Sequence, residues 1–281
     1  MIEDSLLGLS AAGFHRIAYT DWGDPAAERV VVCAHGLTRN GRDFDRLAEA
    51  LVEAGCRVVC PDVVGRGRSD WIANPDLYGY PQYLADMTAL IARLGAAEVL
   101  WVGTSMGGLI GMLLAAQPRT PIRRLVMNDI GPFVPKAALE RIGDYVGGDP
   151  VFEDAAAVEA YLRFLYPGFG VLPDACWHDM AEHGARLRAD GRLGLAYDPG
   201  IANAFKGKPI QDVELWPLWA KVDCPVLVLR GADSDLLLPA TAATMAESGA
   251  KARVVEIPRT AHAPSLMVEE QIALVRDFLL A

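Results

Sequence analysis

The chain is short of positive charge. Its 281 residues contain 26 Lys and Arg against 36 Asp and Glu, which gives a formal net charge of -10 at pH 7. A surface with this balance repels a phosphate backbone, and no stretch of the sequence concentrates basic residues. We therefore expect neither a nucleic acid nor a membrane as a partner.

Long apolar runs and an export signal are also missing. The longest apolar runs, such as 107–116, stop well short of the roughly 20 residues that a membrane-spanning helix needs. The first ten residues carry Glu3 and Asp4 where a secretory signal has basic residues. We expect a soluble, cytoplasmic protein.

The cysteines lack the spacing of a metal or disulfide motif. There are five, an odd number, and Cys33 and Cys60 lie in valine-rich segments where a free thiol packs as a small apolar side chain. Cys56 and Cys60 are separated by three residues, whereas zinc and redox pairs are separated by two. The Gly-Arg-Gly segment at 65–67 lacks the third glycine of a dinucleotide-binding loop. The sequence predicts neither a metal nor a cofactor.

Short β-branched runs alternate with longer helical patterns along most of the chain. This order is typical of βαβ units that build a mostly parallel central sheet flanked by helices. The alternation stops after Gly131 and resumes near residue 218. The sequence therefore predicts an α/β core formed by residues 1–131 and 218–281, with a helical cap inserted over residues 132–217. The predicted core strands are 14–20, 29–34, 57–60, 99–102, 124–128, 226–230 and 252–257. The predicted helices are 44–54, 81–94, 106–117, 240–247 and 269–280 in the core, and 136–145, 155–165 and 173–187 in the cap.

The segment Gly103-Thr104-Ser105-Met106-Gly107 is the sharpest signal for chemistry. It lies between an apolar strand and an apolar helix. A serine on such a tight turn has a strained backbone, and glycines two residues to either side remove Cβ atoms that would collide. The helix that follows directs backbone N–H groups and its positive dipole end toward an oxyanion at this point. Ser105 is the predicted nucleophile.

A serine hydroxyl is protonated at neutral pH and needs a base. His262 lies in the loop between the last predicted strand and the last helix, on the side of the sheet where Ser105 emerges. His178 and His183 fall in a polar helix of the cap, and His15 opens a strand, so we expect solvated or packing roles for these three. His262 is the predicted base.

The base needs a carboxylate that fixes its tautomer. Three aspartates, Asp129, Asp233 and Asp235, follow predicted strands. We favour Asp235, because residues 236–239 can fold back and bury it. Asp233 and Asp129 remain open.

These motifs resemble those of the α/β-hydrolase family, in the group of cap-bearing serine hydrolases that includes carboxylesterases, carbon–carbon bond hydrolases and lactonases. The family presents its triad in the order serine, acid, histidine. The resemblance implies Ser105 as nucleophile, His262 as base, Asp235 as its orienting acid, and the backbone N–H groups of Leu37 and Met106 as an oxyanion hole. The matching segments are 35–38, 62–69, 103–107, 231–239 and 261–264.

The cap is rich in aromatic residues. Its inner face is expected to line an apolar acyl or aromatic pocket, although large side chains also serve as core of a small helical layer. We take Trp177, Trp216 and Trp219 as candidate substrate contacts, together with His35 at the mouth of the site.

The predicted function is hydrolysis of a carboxylic ester of a small apolar or aromatic molecule through an acyl-enzyme on Ser105. The resemblance also allows carbon–carbon bond cleavage in β-diketone-like compounds, lactone opening or acyl transfer by the same triad. A receptor of the same fold that binds a small ligand without turnover is the alternative of another class. The sequence leaves these alternatives, and the question of a homo-oligomer, open.

Overall fold

The computed structural model describes residues 1–207 and 209–281. The strands, in chain order, are β1 (Ile2–Ser10), β2 (Gly13–Trp22), β3 (Val30–Ala34), β4 (Arg57–Pro61), β5 (Val99–Thr104), β6 (Ile122–Asn128), β7 (Phe133–Val134), β8 (Val151–Phe152), β9 (Ala185–Leu187), β10 (Leu193–Leu195), β11 (Val213–Glu214), β12 (Val226–Gly231) and β13 (Arg253–Ile257). The helices are α1 (Asp45–Glu53), α2 (Tyr80–Leu94), α3 (Met106–Ala115), α4 (Lys136–Tyr145), α5 (Ala155–Leu165), α6 (Asp174–Gly184), α7 (Trp216–Trp219), α8 (Pro239–Glu247) and α9 (Glu269–Leu280). Across the described ranges, none of these helices combines the length and the apolar character needed to cross a membrane.

An eight-stranded sheet organises the described part of the chain, in the order β1-β2-β4-β3-β5-β6-β12-β13. All neighbours from β4 to β13 are parallel, and β2 runs antiparallel to both β1 and β4. The predicted class, a mostly parallel sheet flanked by helices, is confirmed. Because the strands are parallel, the loops that leave their carboxyl ends meet along one edge of the sheet.

The central strands are buried on both faces. In β3, Val30, Val32 and Ala34 pack into one apolar cluster, whereas Val31 and Cys33 pack into a second. Successive side chains of a strand point to opposite faces, so the two clusters lie on opposite sides of the sheet. This explains why the strand reads as an unbroken apolar run in the sequence.

Strand β1 is the main element that the sequence did not predict. It pairs with β2 in antiparallel register from Ile2 opposite Asp21 to Ser10 opposite Gly13. Its outer residues, such as Leu7 and Leu9, are exposed at 67% and 60%. An edge strand with little burial lacks the periodic pattern on which sequence prediction depends.

The segment between β6 and β12 contains α4 to α7 and the short strands β7 to β11. Helices α4 and α5 have the predicted bounds, but the helix predicted over 173–187 ends at Gly184. Residues 185–187 instead form β9, which pairs with β10 in a small three-stranded sheet. The bounds 132 and 217 of the predicted cap stay a prediction, and "predicted cap" is used below for those residues.

Backbone contact joins α3 to the centre of the sheet. A Cβ at Gly103 would overlap the backbone of Gly107, and a Cβ at Gly107 would overlap the carbonyl of Ala34. The indole of Trp101 donates a hydrogen bond of 3.0 Å to the carbonyl oxygen of Gly107. The two glycines of the serine motif are therefore required by close packing of α3 against β5 and β3.

We predict that Gly107→Ala destabilises the protein by roughly 1–3 kcal/mol or more, because the backbone of β3 must move to admit the methyl group. Gly143→Ala is the matched control. That position also lies in a helix, and its added Cβ would be 3.7 Å or more from the atoms around it. The control should be stabilised by about 0.5–1 kcal/mol through helix propensity. Urea unfolding of both variants measures the difference, and equal stabilities would contradict the packing argument.

Candidate active site

Ser105 occupies a sharp turn between the end of β5 and the start of α3. Its backbone has φ 51° and ψ -114°, a conformation rare for a residue with a side chain. Its own N–H donates to the carbonyl oxygen of Asn128 at 3.0 Å. The turn thus holds the hydroxyl group at the carboxyl edge of the sheet, as the sequence motif predicts.

A line of three side chains meets at this edge. The Nε2 atom of His262 lies 3.0 Å from the Oγ atom of Ser105. On the other side of the ring, Nδ1 lies 2.8 Å from Oδ2 of Asp129. An ionised carboxylate only accepts hydrogen bonds, so Nδ1 carries the proton and the lone pair of Nε2 faces the serine hydroxyl. The structure brings Ser105 and His262 together, as predicted, with Asp129 behind them.

Asp129 follows the last residue of β6 and is fully buried. Its Oδ1 accepts the backbone N–H of Gly231 at 2.8 Å, and its Oδ2 accepts the hydroxyl of Ser234 at 2.6 Å in addition to the imidazole. Three donors compensate the loss of hydration that a buried carboxylate suffers. This arrangement fixes the direction of the carboxylate toward His262.

Asp235, the aspartate that we favoured from the sequence, does not contact His262, and the prediction is wrong in this respect. Residues 236 and 237 are buried, but residues 236–239 do not bury Asp235 as expected, because its side chain is 50% exposed. It accepts two hydrogen bonds from Arg141, at 2.6 and 2.9 Å. The turn after β12 buries Ser234 and leaves Asp233 and Asp235 exposed. The open alternative Asp129 occupies the position instead.

The loop after β3 brings a second element to the serine. The backbone N–H groups of Leu37 and Met106 have no hydrogen-bond partner among the residues that the structure describes. Met106 is the first residue of α3, where N–H groups lack intrahelical acceptors. Both predicted oxyanion donors therefore remain available beside Ser105.

Comparison with known proteins agrees with this geometry. A model of the alpha/beta hydrolase family matches residues 31–277. The chain belongs to this family. The hydrolase is 46% identical to a 3-hydroxybutyrate-oligomer hydrolase of Cupriavidus necator, over 96% of this chain and 94% of that protein. It is 30% identical to a 2-(acetamidomethylene)succinate hydrolase of Mesorhizobium japonicum, over 81% of this chain and 79% of that protein.

A solved structure leads to the same family. The fold matches the crystal structure of an alpha/beta hydrolase from Novosphingobium aromaticivorans with a TM-score of 0.87 and 36% identity, covering 99% of this chain and 98% of that one. The resemblance inferred from the sequence is confirmed, and so is the expectation of an enzyme of the hydrolase class.

His35 positions the loop that carries Leu37. Its ring is fully buried, its Nδ1 donates to the carbonyl oxygen of Gly36 at 2.7 Å, and its Nε2 accepts the N–H of Val63 at 2.9 Å. Both ring nitrogens are occupied, so the side chain has no hydrogen bond to offer a substrate. Burial lowers the pKa of His35 to about 3, which keeps the ring neutral. The predicted substrate contact is thus a support of the loop.

Arg66 is a second support of this loop that the sequence reasoning missed. Its side chain is fully buried and donates from Nε to the carbonyl oxygen of Leu37 at 2.9 Å. Its guanidinium also lies 5.0 Å from the ring centroid of Tyr83, in a cation–π arrangement. The Gly-Arg-Gly segment was the available signal, and the flanking glycines permit the turn that directs the arginine inward.

Two cavities of the hydrolase meet at Ser105, and both are also lined by Leu37 and Ile142. One, of about 500 Å³, is lined by His262 and by polar and charged side chains that include Arg39, Arg141 and Asp233. We call it the polar cavity. The other, of about 580 Å³, is lined mainly by aliphatic and tyrosine side chains. We call it the apolar cavity. Both volumes fall within the ~300–1,000 Å³ of ordinary small-molecule sites.

The three predicted tryptophan contacts lie elsewhere, and none is among the described residues that line the two cavities. Trp177 packs against Phe169 with ring centroids 6.4 Å apart, and Trp219 is buried and donates to the carbonyl oxygen of Ser248. Trp216 is half-buried against the apolar core. These side chains stabilise the predicted cap and its junction with the core.

Other residues of the predicted cap line the polar cavity in their place. They are Arg141, Ile142, Tyr145 and the segment 164–169. Arg141 and Tyr145 lie on α4 four residues apart, and this spacing places them on one face of the helix. The spacing was visible in the sequence, but nothing in it indicated which face of α4 looks toward Ser105.

The remaining histidines lie away from the reacting line. His15 is buried and its Nε2 lies 3.0 Å from Oδ1 of Asp86, while His178 is exposed on α6. Within residues 1–207 and 209–281, no group of three His, Cys, Asp or Glu side chains is arranged to hold a metal ion.

The lowered pKa of His35 predicts a contribution to acid sensitivity. Between its ordinary pKa of 6.5 and its folded value of about 3, the unfolded chain binds a proton at this residue and the folded chain does not. The free energy of unfolding therefore decreases as the pH is lowered through this window, by up to ~1.4 kcal/mol per pH unit. Glutamine does not titrate, so His35→Gln should lose less stability than the unmodified protein between about pH 7 and pH 4.

Chemical denaturation at a series of pH values measures the gap, which is the difference in free energy of unfolding between the unmodified protein and His35→Gln. The variant is expected to be less stable at neutral pH, because the contact with Val63 is weakened, and the gap should narrow in acid. His178→Gln is the control, since the side chain of His178 is 67% exposed. A gap for His35→Gln that stays constant with pH would show that this ring is not held neutral.

Proposed function

We propose that this hydrolase cleaves carboxylic esters through an acyl-enzyme on Ser105. The observation that carries the proposal is the continuous line from Asp129 through His262 to Ser105, with separations of 2.8 and 3.0 Å. This line ends beside the unpartnered N–H groups of Leu37 and Met106. Together these groups supply a nucleophile, a base and a site for the oxyanion, which is the full requirement of acyl transfer.

In the first half of the reaction, Oγ of Ser105 attacks the ester carbonyl carbon while Nε2 of His262 takes its proton. The carbonyl oxygen becomes negative and accepts hydrogen bonds from Leu37 and Met106. The imidazolium is stabilised by Asp129, which stays ionised. Breakage of the bond between the carbonyl carbon and the alcohol oxygen follows, and Nε2 gives its proton to the departing alcohol.

In the second half, water replaces the alcohol. His262 removes a proton from this water, which attacks the carbonyl carbon of the acyl-enzyme. The bond to Ser105 breaks, the proton returns to its Oγ, and the carboxylic acid is released. His262 thus removes and returns a proton in each half, Ser105 is the nucleophile in the first half and the leaving group in the second, and no further group is needed for atoms and charges to balance.

Carbon–carbon hydrolysis, lactone opening and acyl transfer would use the same line of side chains. We prefer ester hydrolysis over carbon–carbon cleavage because its leaving alcohol needs only the proton that His262 already holds. A receptor without turnover has no need for a buried carboxylate that orients the ring. The arrangement around Asp129 therefore supports catalysis over simple binding.

The similarity to a 3-hydroxybutyrate-oligomer hydrolase suggests the substrate class. We propose that this enzyme acts on short oligoesters of a hydroxy acid or on esters of similar shape. Such a molecule combines apolar methyl and methylene groups with a terminal carboxylate. Arg141 lines the polar cavity, and its ion pair with Asp235 is about half exposed on both sides. An exposed pair of this kind is worth at most ~1 kcal/mol, so a substrate carboxylate can compete for the arginine.

We also propose that the predicted cap covers the site and that the enzyme works in the cytoplasm. Cap residues of α4 and the segment 164–169 form one wall of the polar cavity. The carbonyl oxygen of Gly168 accepts the N–H of Ala261 at 2.7 Å, next to His262. The five cysteines are free thiols, as expected in a reducing compartment.

A fluorophosphonate probe tests the nucleophile directly. We expect the probe to label Ser105, and Ser105→Ala to abolish labelling and to lower kcat for p-nitrophenyl butyrate by about 10⁴ to 10⁶-fold, as for other residues that act as one catalytic unit. The melting temperature should change little, because the hydroxyl group lies at a cavity. Peptide mapping of the labelled protein identifies the site. Labelling of another residue, or full activity in the variant, would refute the proposal.

The identity of the acid is tested by two matched substitutions. Asp129→Asn should lower kcat by about 10⁴-fold, because the amide can donate to Nδ1 and favour the wrong tautomer of His262. Asp235→Asn, the control, should lower it by less than about fivefold, since an exposed ion pair contributes at most ~1 kcal/mol. Steady-state kinetics and melting temperatures are measured for both. Equal losses, or a larger loss for Asp235→Asn, would contradict the geometry.

A further inference from the structure

The two cavities differ in which part of the reacting line they contact. His262 lines the polar cavity and is not among the described residues that line the apolar cavity. Met106, whose N–H is one of the two oxyanion donors, lines the apolar cavity and not the polar one. Ser105 borders both. The site therefore has two different sides, one next to the base and the other next to the start of α3.

From this difference we infer the orientation of the ester. Its acyl chain enters the apolar cavity, and its alcohol occupies the polar cavity. This inference rests on the proposed function, because it assigns the two halves of an ester that Ser105 attacks. It adds the orientation of the ester in the site. This orientation determines which half of the substrate the enzyme selects by apolar contact.

The proton balance requires the alcohol to lie on the His262 side. When the bond between the carbonyl carbon and the alcohol oxygen breaks, that oxygen takes the proton that Nε2 received from Ser105. A proton donor must lie within about 2.6–3.2 Å of the atom it protonates. The leaving oxygen must therefore lie beside Nε2, and the rest of the alcohol extends into the cavity that His262 lines.

The acyl chain then has the other cavity available, and the lining of that cavity suits it. The described residues around it carry no charged side chain. Leu109, Leu113, Ile130 and Val134 are among its walls. An alkyl chain gains free energy from leaving water here, whereas a carboxylate would lose its hydration without a partner.

The lining of the polar cavity suits a hydrophilic alcohol. Arg39 and Arg141 are both in its wall, each paired with an aspartate. In an oligoester of a hydroxy acid, the fragment that leaves as the alcohol is the one that carries the free carboxylate. The orientation thus places the charged end of such a substrate on the side of the arginines and its uncharged end among aliphatic side chains.

Two leucines allow a matched test. Of the two cavities, Leu113 lines only the apolar one and Leu165 only the polar one. Both side chains are half-buried. Leu113→Trp and Leu165→Trp make the same change in opposite cavities. The first readout is the ratio of kcat/KM for p-nitrophenyl octanoate over the butyrate, which varies the acyl chain alone. The second is the ratio for 2-naphthyl butyrate over phenyl butyrate, which enlarges the alcohol alone.

In the unmodified enzyme each added methylene of the acyl chain should raise kcat/KM by up to about fourfold, until the cavity is full. Leu113→Trp is expected to lower the octanoate ratio at least about tenfold and to leave the naphthyl ratio within about twofold. Leu165→Trp is expected to do the reverse. If the effects are exchanged between the two variants, or if neither ratio changes, the inferred orientation is wrong.

Melting temperatures establish that the variants are folded, and Leu113→Phe with Leu165→Phe replaces the pair if a tryptophan is not tolerated.

The outcome also separates this inference from the proposed function. An enzyme that labels at Ser105 and cleaves esters but shows exchanged ratios refutes the orientation alone. An unmodified protein that neither labels nor cleaves any of these esters refutes both.

Discussion

The buried carboxylate of Asp129 is the constraint on which the site depends. A charged group without contact with water is unstable unless donors surround it, and here the donors come from three places: the end of β12, the turn after it and the loop after β13. Each must arrive within hydrogen-bond distance of one carboxylate. The convergence of these segments at one edge of the sheet is therefore required for stability as well as for the catalytic role that we propose.

Strand order explains how an aspartate after β6 reaches the position of the proposed acid. Strand β6 lies between β5, which presents Ser105, and β12, which presents Gly231 and Ser234. A carboxylate at the end of β6 can accept hydrogen bonds from the residues at and after the end of β12. It can at the same time orient the ring of His262 toward Ser105. An aspartate after β12 would lie one strand further from the serine. The turn after β12 instead supplies the hydroxyl and the N–H that keep Asp129 in place.

The sequence was informative where a local pattern has a single structural meaning. Apolar runs predicted the parallel strands, and the glycines around Ser105 predicted its turn, because backbone collisions leave no other arrangement. It was not informative about side-chain direction in irregular segments. A shift of one residue along the turn after β12 decides whether Ser234 or Asp235 faces inward. The prediction that three tryptophans contact the substrate is wrong for a different reason, because an aromatic residue suits a core as well as a pocket.

The contact between Gly168 and the loop of His262 links specificity to chemistry. A Cβ on Gly168 would be 2.7 Å from the Cβ of Ala261, so the two backbones touch, and the hydrogen bond between them fixes their separation. The segment 164–169 that shapes the polar cavity thus also borders the base. In the orientation that we propose, the wall of the alcohol side therefore contacts the loop of the base, whereas the acyl side is bounded in part by α3.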